Sequence, residues 1–474
     1  MASTDRPGRL RSPRSRDEPA TARVSPARIV AWEVLQAVRV DGAYANLLLP
    51  NRITRSRLSE ADAALATELT YGTLRWQGYY DAIIELVADR AVSSIDPDVL
   101  DVLRLGAHQL LATRVATHAA VFEQAQIARR VAPGAVGFVN GVLRTISRSS
   151  ADEWRGWVAE HAASEQIARA ALSSHPTWII DALGSALAHE GRADELDALL
   201  LADNDPPKVN LAVLPLPDAD SPASIGEPNQ FSPLGATADR PLAVVAEHEG
   251  RVRVQDEGSQ LAALSLSRAR PVAPGETWLD LCAAPGGKTA ILAAEALATG
   301  ARLVANELVP ARADLVRSSI ASVPLEVAVR VGDGRTLDAA EFGASAGFDR
   351  VLLDAPCTGL GALRRRPESR WRKSPTDVAE LTALQSELFD AAVRVLAPGG
   401  ILAYVTCSPH LPETRQLVDA ALARHPELTR LDTQSVVQSV ALAPLDLAGE
   451  ATAVQLWPHR HRTDAMFIAL FARA

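Results

Sequence analysis

The sequence predicts a multidomain chain: an all-helical front, a small α+β connector, and a C-terminal α/β domain on an open, mostly parallel, doubly wound sheet. Three observations predict it. From Pro26 to about Arg148 apolar residues recur three and four apart, as in Ile29–Leu35 and Val99–Leu105, with no alternating strand pattern. After Gly250, strand-like and helix-like stretches alternate to the end of the chain. A length of 474 residues leaves room for about two to four domains.

Taken in order, residues 1–25 carry six arginines against three acids, with several Ser and Pro, and read as a disordered basic arm. Residues 26–164 form the helical domain. Residues 165–250 form the connector, with helices at Thr177–His189 and Ala193–Ala202. Pro206-Pro207 follows, then β-like segments at Lys208–Leu214, Leu242–Ala246 and Val252–Val254. Residues 251–474 hold the α/β domain. Strands are expected at Thr277–Cys282, Arg302–Asn306, Leu325–Val331, Asp349–Leu353, Ile401–Thr406 and Met466–Phe471. Helices are expected at Thr289–Leu297, Ala311–Ser319, Val378–Leu396 and Glu413–Arg424. Ligands of such a sheet lie beyond the carboxyl ends of its strands.

Composition narrows the function classes. No stretch of about 20 apolar residues is present, and the N-terminal segment lacks the apolar run of a secretory signal. Three cysteines exclude a disulfide framework and fit a reducing cytoplasm. A net charge of −9 argues against a uniformly basic coat, while leaving room for a local basic groove. Of 48 basic residues only Lys208, Lys288 and Lys373 are lysine, so a lysine kept against that bias draws notice at Lys288.

Asp280-Leu281-Cys282-Ala283-Ala284-Pro285-Gly286-Gly287-Lys288-Thr289 ends the first strand of the α/β domain and opens a helix. Gly286 and Gly287 allow close approach of a ligand, and a helix N-terminus offers free N–H groups to an anion. A phosphate-binding P-loop is excluded, because its first glycine would fall at Cys282. Glu307, Asp333 and Asp354 follow strands two, three and four of this domain, where carboxylates can take ribose hydroxyls and an adenine amino group. Cys282, Cys357 and Cys407 all fall at predicted strand ends, with spacings unlike a zinc site. Two converging thiols there can serve as nucleophile and helper.

Asp280–Lys288, Asp354-Ala355-Pro356-Cys357 and Thr406-Cys407-Ser408 together closely resemble the Nol1/Nop2/Sun type of RNA cytosine-5 methyltransferase. Val254–Gln260, Arg364–Trp371 and Leu456–His461 with Asp464 extend the resemblance, although Ala465 stands where the family usually has Gly. The match covers about 250–474 strongly. Gly42–Pro50 and Tyr71–Arg75 resemble the NusB-like RNA-binding domain fused to the bacterial small-subunit rRNA branch, the Sun or RsmB type. His175-Pro176-Thr177-Trp178 resembles that branch's linker.

The resemblance implies a class I, Rossmann-like methyltransferase domain that uses S-adenosyl-L-methionine. It implies that Cys407 is the nucleophile toward C6 of the base, that Cys357 assists proton removal and product release, and that Asp354 contacts the base. Cys282, Ala283, Ala284, Pro285, Gly286, Gly287, Lys288, Glu307, Asp333 and Asp354 would hold the cofactor. Arg364, Arg365, Arg366, Arg370, Arg372 and Lys373, a net +5 run with Glu368, are the expected RNA contacts, joined by Arg75, Arg129 and Arg130 from the front. His459 and His461 read as surface or strand-flanking residues. The expected partner is RNA, with rRNA foremost and tRNA as the alternative. Neither membrane nor metal is expected, and the chain is expected to act as a monomer. An inactive methyltransferase domain on a NusB-like factor is the competing class, and the intact cysteines, glycines and acids speak against it.

Overall fold

A computed structural model describes residues 24–474, so the expected arm lies almost wholly outside the described residues. The front is helical throughout, and local chemistry sets its boundaries. Ser25, Ser59, Asp96 and Ser150 cap the helices Pro26–Val40, Glu60–Arg75, Pro97–Ala112 and Ala151–His161, accepting first-turn N–H groups. Pro26 and Pro97 stand at the first helical turn, where no intrahelical N–H is lost. The apolar faces meet in one core that includes Val34, Leu69, Ile83, Leu103 and Leu143.

The connector begins as helices, Glu165–Ser173, Thr177–His189 and Leu196–Ala202. A small antiparallel sheet follows, made of β1 (Asn210–Val213), β2 (Glu227–Pro228), β3 (Gly235–Thr237) and β4 (Val252–Val254), in the order β2-β3-β1-β4. Leu242–Ala246 is not the expected strand. Pro241 opens a helix there, Pro241–Glu247, and the β-branched Val244 and Val245 pack on the sheet from that helix. The connector also joins the C-terminal half: Ile179, Leu183 and Leu199 share a core with Leu360, Leu363 and Trp457.

The C-terminal half holds β5 (Thr277–Asp280), β6 (Arg302–Glu307), β7 (Val327–Val331), β8 (Phe348–Asp354), β9 (Leu396–Thr406), β10 (Leu428–Arg430), β11 (Ala453–Gln455) and β12 (Phe467–Arg473). Their order is β10-β12-β9-β8-β5-β6-β7, with β11 paired to β12. Strands β5 to β9 are parallel, and β12 runs antiparallel to β9, giving a mixed sheet. Trp278 and Leu279 on β5 and Val351 to Leu353 on β8 are fully buried, as expected of central strands covered on both faces. The order reverses between β5 and β8, so the carboxyl ends of these two strands flank the switch point where ligands of such sheets bind.

The arginine run after β8 bolts the domains together. Arg370 is completely buried and donates to the carbonyls of Arg75, Ser174 and Asp203 and to Asn204 Oδ1, at 2.8 to 3.1 Å. Arg75 donates to Arg364 O at 3.1 Å, and Glu368 accepts from Ala45 N at 3.2 Å. The Trp371 ring lies against Gly78, where a Cβ would come within 2.6 Å of it. His175 of the linker is buried in the same joint, its Nδ1 2.7 Å from Ser173 O.

Candidate active site

The segment after β5 turns sharply into the helix Gly287–Thr299. Gly286 makes the turn at φ +102°, and a Cβ there would come within 2.6 Å of Ser319 and 2.9 Å of the Val316 backbone. Asp280 at the end of β5 is buried and accepts from Thr289 Oγ1 at 2.7 Å. Burial pushes its carboxyl up to about 7, against the opposing hydrogen bond from Thr289. Its other oxygen, Oδ1, is buried without a partner.

The acids stand at neighbouring strand ends. Glu307, ending β6, is buried and accepts from Ala284 N at 3.3 Å and Val309 N at 3.0 Å. Asp333, after β7, is more open, and its carboxylate is held by both Nε and Nη2 of Arg335. Hydrogen bonds from that guanidinium keep it below the usual carboxylate range. Asp354, ending β8, accepts from Lys288 Nζ at 2.7 Å. Burial opposes a charge on Lys288, yet the Asp354 carboxylate outweighs it and raises the ammonium above its ordinary value. A lysine suits this place: a compact ammonium fits against one carboxylate where a planar guanidinium fork would need more room.

The loop after β8 carries Cys357 and the loop after β9 carries Cys407, because these strands are parallel neighbours. Their sulfurs lie 3.5 Å apart. The Cys407 thiol is held below its ordinary range, first by the hydrogen bond from Cys357 and then by the positive charges of Arg366 and Lys288, against burial and Asp354. Cys357 is pushed up by its hydrogen bond to Cys407, by burial, and by the charge of Glu413. Of the two thiols, Cys407 is the one its surroundings favour for losing a proton. Cys282 is set apart: burial pushes its thiol up, which suits a wall residue rather than a nucleophile.

The arginine run does not form one basic face. Arg364 and Arg370 are buried and bound to backbone carbonyls, so they are corrected from RNA contacts to structural residues. Arg365 is half-buried and pairs with both Asp256 and Asp464, which joins three motif segments far apart in sequence. Lys373 pairs with Asp377 at 3.8 Å. Arg366 and Arg372 remain exposed, their guanidinium carbons 5.7 and 4.5 Å from the ring centre of Tyr44 in the front domain. Arg75 is also corrected: it is buried at the joint, whereas Arg129 and Arg130 are exposed. His461 is buried with Nδ1 accepting from Trp457 N, and His459 pairs with Glu195 at 2.8 Å, so neither is a surface residue.

Sequence reasoning missed Glu413. Only its place six residues after Cys407 marked it, and an acid there reads as the opening of the next helix. It is fully buried and accepts from Thr358 N, Thr358 Oγ1, Ser408 Oγ and Gln385 Nε2.

The donor set is compatible with S-adenosyl-L-methionine: carboxylates end β6 and β8 and follow β7, and Asp280 Oδ1 at the end of β5 is buried without a partner. Among the described residues no cluster of His, Cys, Asp or Glu is arranged to hold a metal, and no helix is long and apolar enough to cross a membrane.

Residues 270–472 match the family described as 16S rRNA methyltransferase RsmB/F, and residues 25–148 match the NusB family. A protein of Mycobacterium tuberculosis named as a methyltransferase is 48% identical over 98% of this chain and 99% of its own length. The ribosomal RNA small subunit methyltransferase B of Pseudomonas putida is 33% identical, covering 85% of this chain and 91% of that one. Among solved structures, that of PH0851 superposes with a TM-score of 0.75 at 23% identity, covering 95% of this chain and 99% of that one.

Proposed function

The chain belongs to the RsmB/F family of 16S rRNA methyltransferases, and we propose that it methylates cytosine C5 in RNA, small-subunit rRNA foremost, through a covalent adduct between Cys407 and C6. One observation carries the chemistry: two thiols 3.5 Å apart at the carboxyl ends of neighbouring parallel strands, with Lys288 and Asp354 paired beside them.

Cytosine C5 is too weak a nucleophile to take a methyl group unaided. The Cys407 thiolate adds to C6, forming the S–C6 bond and sending an electron pair toward C5 and the N3 side of the ring. Asp354, held by Lys288, sits beside this thiolate to hydrogen-bond the N3 side and steady the developing charge. S-adenosyl-L-methionine supplies a methyl group on a positively charged sulfur, and Cys282–Lys288, Glu307, Asp333 and Asp354 would hold it. Cys357, after giving its own proton to solvent, would then accept the C5 proton; the C5–H electron pair forms the C5=C6 bond as the C6–S bond breaks and its electron pair returns to Cys407. The base must leave its stack to reach thiols set below the cleft.

Phosphate contacts in this reading come from the exposed Arg366 and Arg372, with Tyr44 as an aromatic platform between them and the front domain, and from Arg129 and Arg130. The test is bisulfite sequencing of rRNA and tRNA from a strain lacking the protein, complemented by wild type or by Cys407→Ala. One small-subunit rRNA cytosine should lose its mark in the deletion, regain it with wild type, and stay bare with the variant. A mark lost only from tRNA would overturn the rRNA assignment, and no lost mark would overturn the activity.

A further inference from the structure

Glu413 is fully buried and bonds to the residue that follows each of the two cysteines. Its Oε1 accepts from Thr358 N at 2.7 Å, the residue after Cys357, and from Gln385 Nε2 at 3.2 Å. Its Oε2 accepts from Thr358 Oγ1 and from Ser408 Oγ at 2.7 Å, the residue after Cys407. The two hydroxyls also meet each other at 3.1 Å. Gln385 donates to Pro356 O, the residue before Cys357, at 2.8 Å, and Tyr404 donates to the Glu413 carbonyl at 2.8 Å. An ionised carboxylate taking this many hydrogen bonds fixes both loops at once, which no apolar residue could do.

We propose that Glu413 is a positioning residue that makes the two thiols unequal, tying their loops through one buried carboxylate whose negative charge lies on the Cys357 side. The surrounding charges divide accordingly. Cys407 faces Lys288 from the helix after β5, Asp354 from β8, and Arg366 from the following loop. Cys357 faces Glu413, the neutral phenol of Tyr404 on β9, and Cys407 itself. His410, from the Cys407 loop, lies 4.0 Å from the Glu413 carboxylate and is kept toward its neutral form by burial. Among the described residues the strongest charges acting on Cys357 include no cation, so proton loss there would set a second negative charge near Glu413. Cys407 has two cations against one acid. Glu413 thereby assigns which sulfur attacks and which keeps its proton, without touching substrate.

The inference rests on the proposed roles of the two thiols, but its test uses no RNA, so failure of the RNA assignment leaves it readable. The full chain is alkylated with iodoacetamide across a pH series, and modification of each cysteine is followed by peptide mass mapping. In alkylation the thiolate sulfur forms a bond to carbon and iodide departs, so the rate follows the thiolate fraction. In wild type Cys407 should react at lower pH than Cys357. Glu413→Gln keeps the shape and removes the charge; its Oε1 can still accept from Thr358 N and Gln385, while its NH2 must donate to the Thr358 and Ser408 hydroxyls, which can turn to accept. It should lower the Cys357 midpoint by about one pH unit, cutting the preference for Cys407 about tenfold near neutral pH. A preference unchanged within about twofold, or midpoints that move together at both cysteines, would overturn the proposal. Should Glu413→Gln not fold, the lone thiols decide. Cys357 in Cys407→Ser should titrate above Cys407 in Cys357→Ser, and equal midpoints would contradict the charge division.

Discussion

Two buried cations sit in this protein with opposite uses. Lys288, at the candidate active site, pairs with the Asp354 carboxylate and acts on the Cys407 thiol, so its charge reaches the groups proposed to react. Arg370, at the domain joint, donates to three backbone carbonyls and one side-chain amide, with Asp203 and His175 close by, so its main use is architectural. Both are enclosed. What separates them is hydrogen-bonding partner: Lys288 donates to an ionisable carboxylate, while every hydrogen bond of Arg370 goes to a neutral carbonyl or amide oxygen and so fixes geometry.

The sharpest way to break this contrast is to replace each cation by methionine. Lys288→Met removes a fixed charge from the site and should lower kcat/KM for methyl transfer at least about 100-fold. Arg370→Met leaves several buried carbonyls without donors and should cost about 3 kcal/mol of unfolding free energy. Activity per folded molecule of Arg370→Met should stay within about threefold at a temperature where it remains folded. Urea unfolding paired with steady-state methylation checks both. An Arg370 variant that unfolds like wild type but loses activity would move Arg370 from the joint to the RNA path.

A smaller effect sharpens the account of the joint. His175 is fully buried there, and burial, with the charge of Arg370 adding to it, pulls its imidazole down to about 4 against the pull of Asp203. The unfolded chain takes up the proton below about pH 6.5, whereas the folded chain does not until about pH 4. Nothing is lost above pH 6.5, and stability falls as pH drops through that window. At pH 5 the loss amounts to about 2 kcal/mol. His175→Gln, which cannot titrate, should lose that much less between pH 7 and pH 5 in urea unfolding. Parallel curves for wild type and variant would show that the residue does not stay neutral in the joint.

The same contrast explains what could be read from sequence. The strand ends, the glycine turn and the two cysteine motifs are local: apolar runs, turn residues and spacing place them at the carboxyl edge of the sheet without further information. The arginine run could not be read this way. Six cations in ten residues look like an exposed patch, and only the tertiary structure shows Arg364 and Arg370 turned inward onto carbonyls from other segments. Glu413 was hidden for the same reason, since its partners come from three elements. Leu242–Ala246 failed differently. Two adjacent valines outweighed the helix-opening Pro241, although the segment needed only one apolar face to pack on the small sheet.

The central claim, that the thiolate is Cys407 and its partner thiol Cys357 acts after addition, is tested most directly by trapping. Full-length Cys357→Ala is mixed with small-subunit rRNA and S-adenosyl-L-methionine, run on a denaturing gel, and any retarded band is mapped by mass spectrometry. A slow protein–RNA band joined through Cys407 is the predicted result, because addition proceeds while release is impaired. An inactive variant with no adduct, or an adduct through any other residue, would contradict the account.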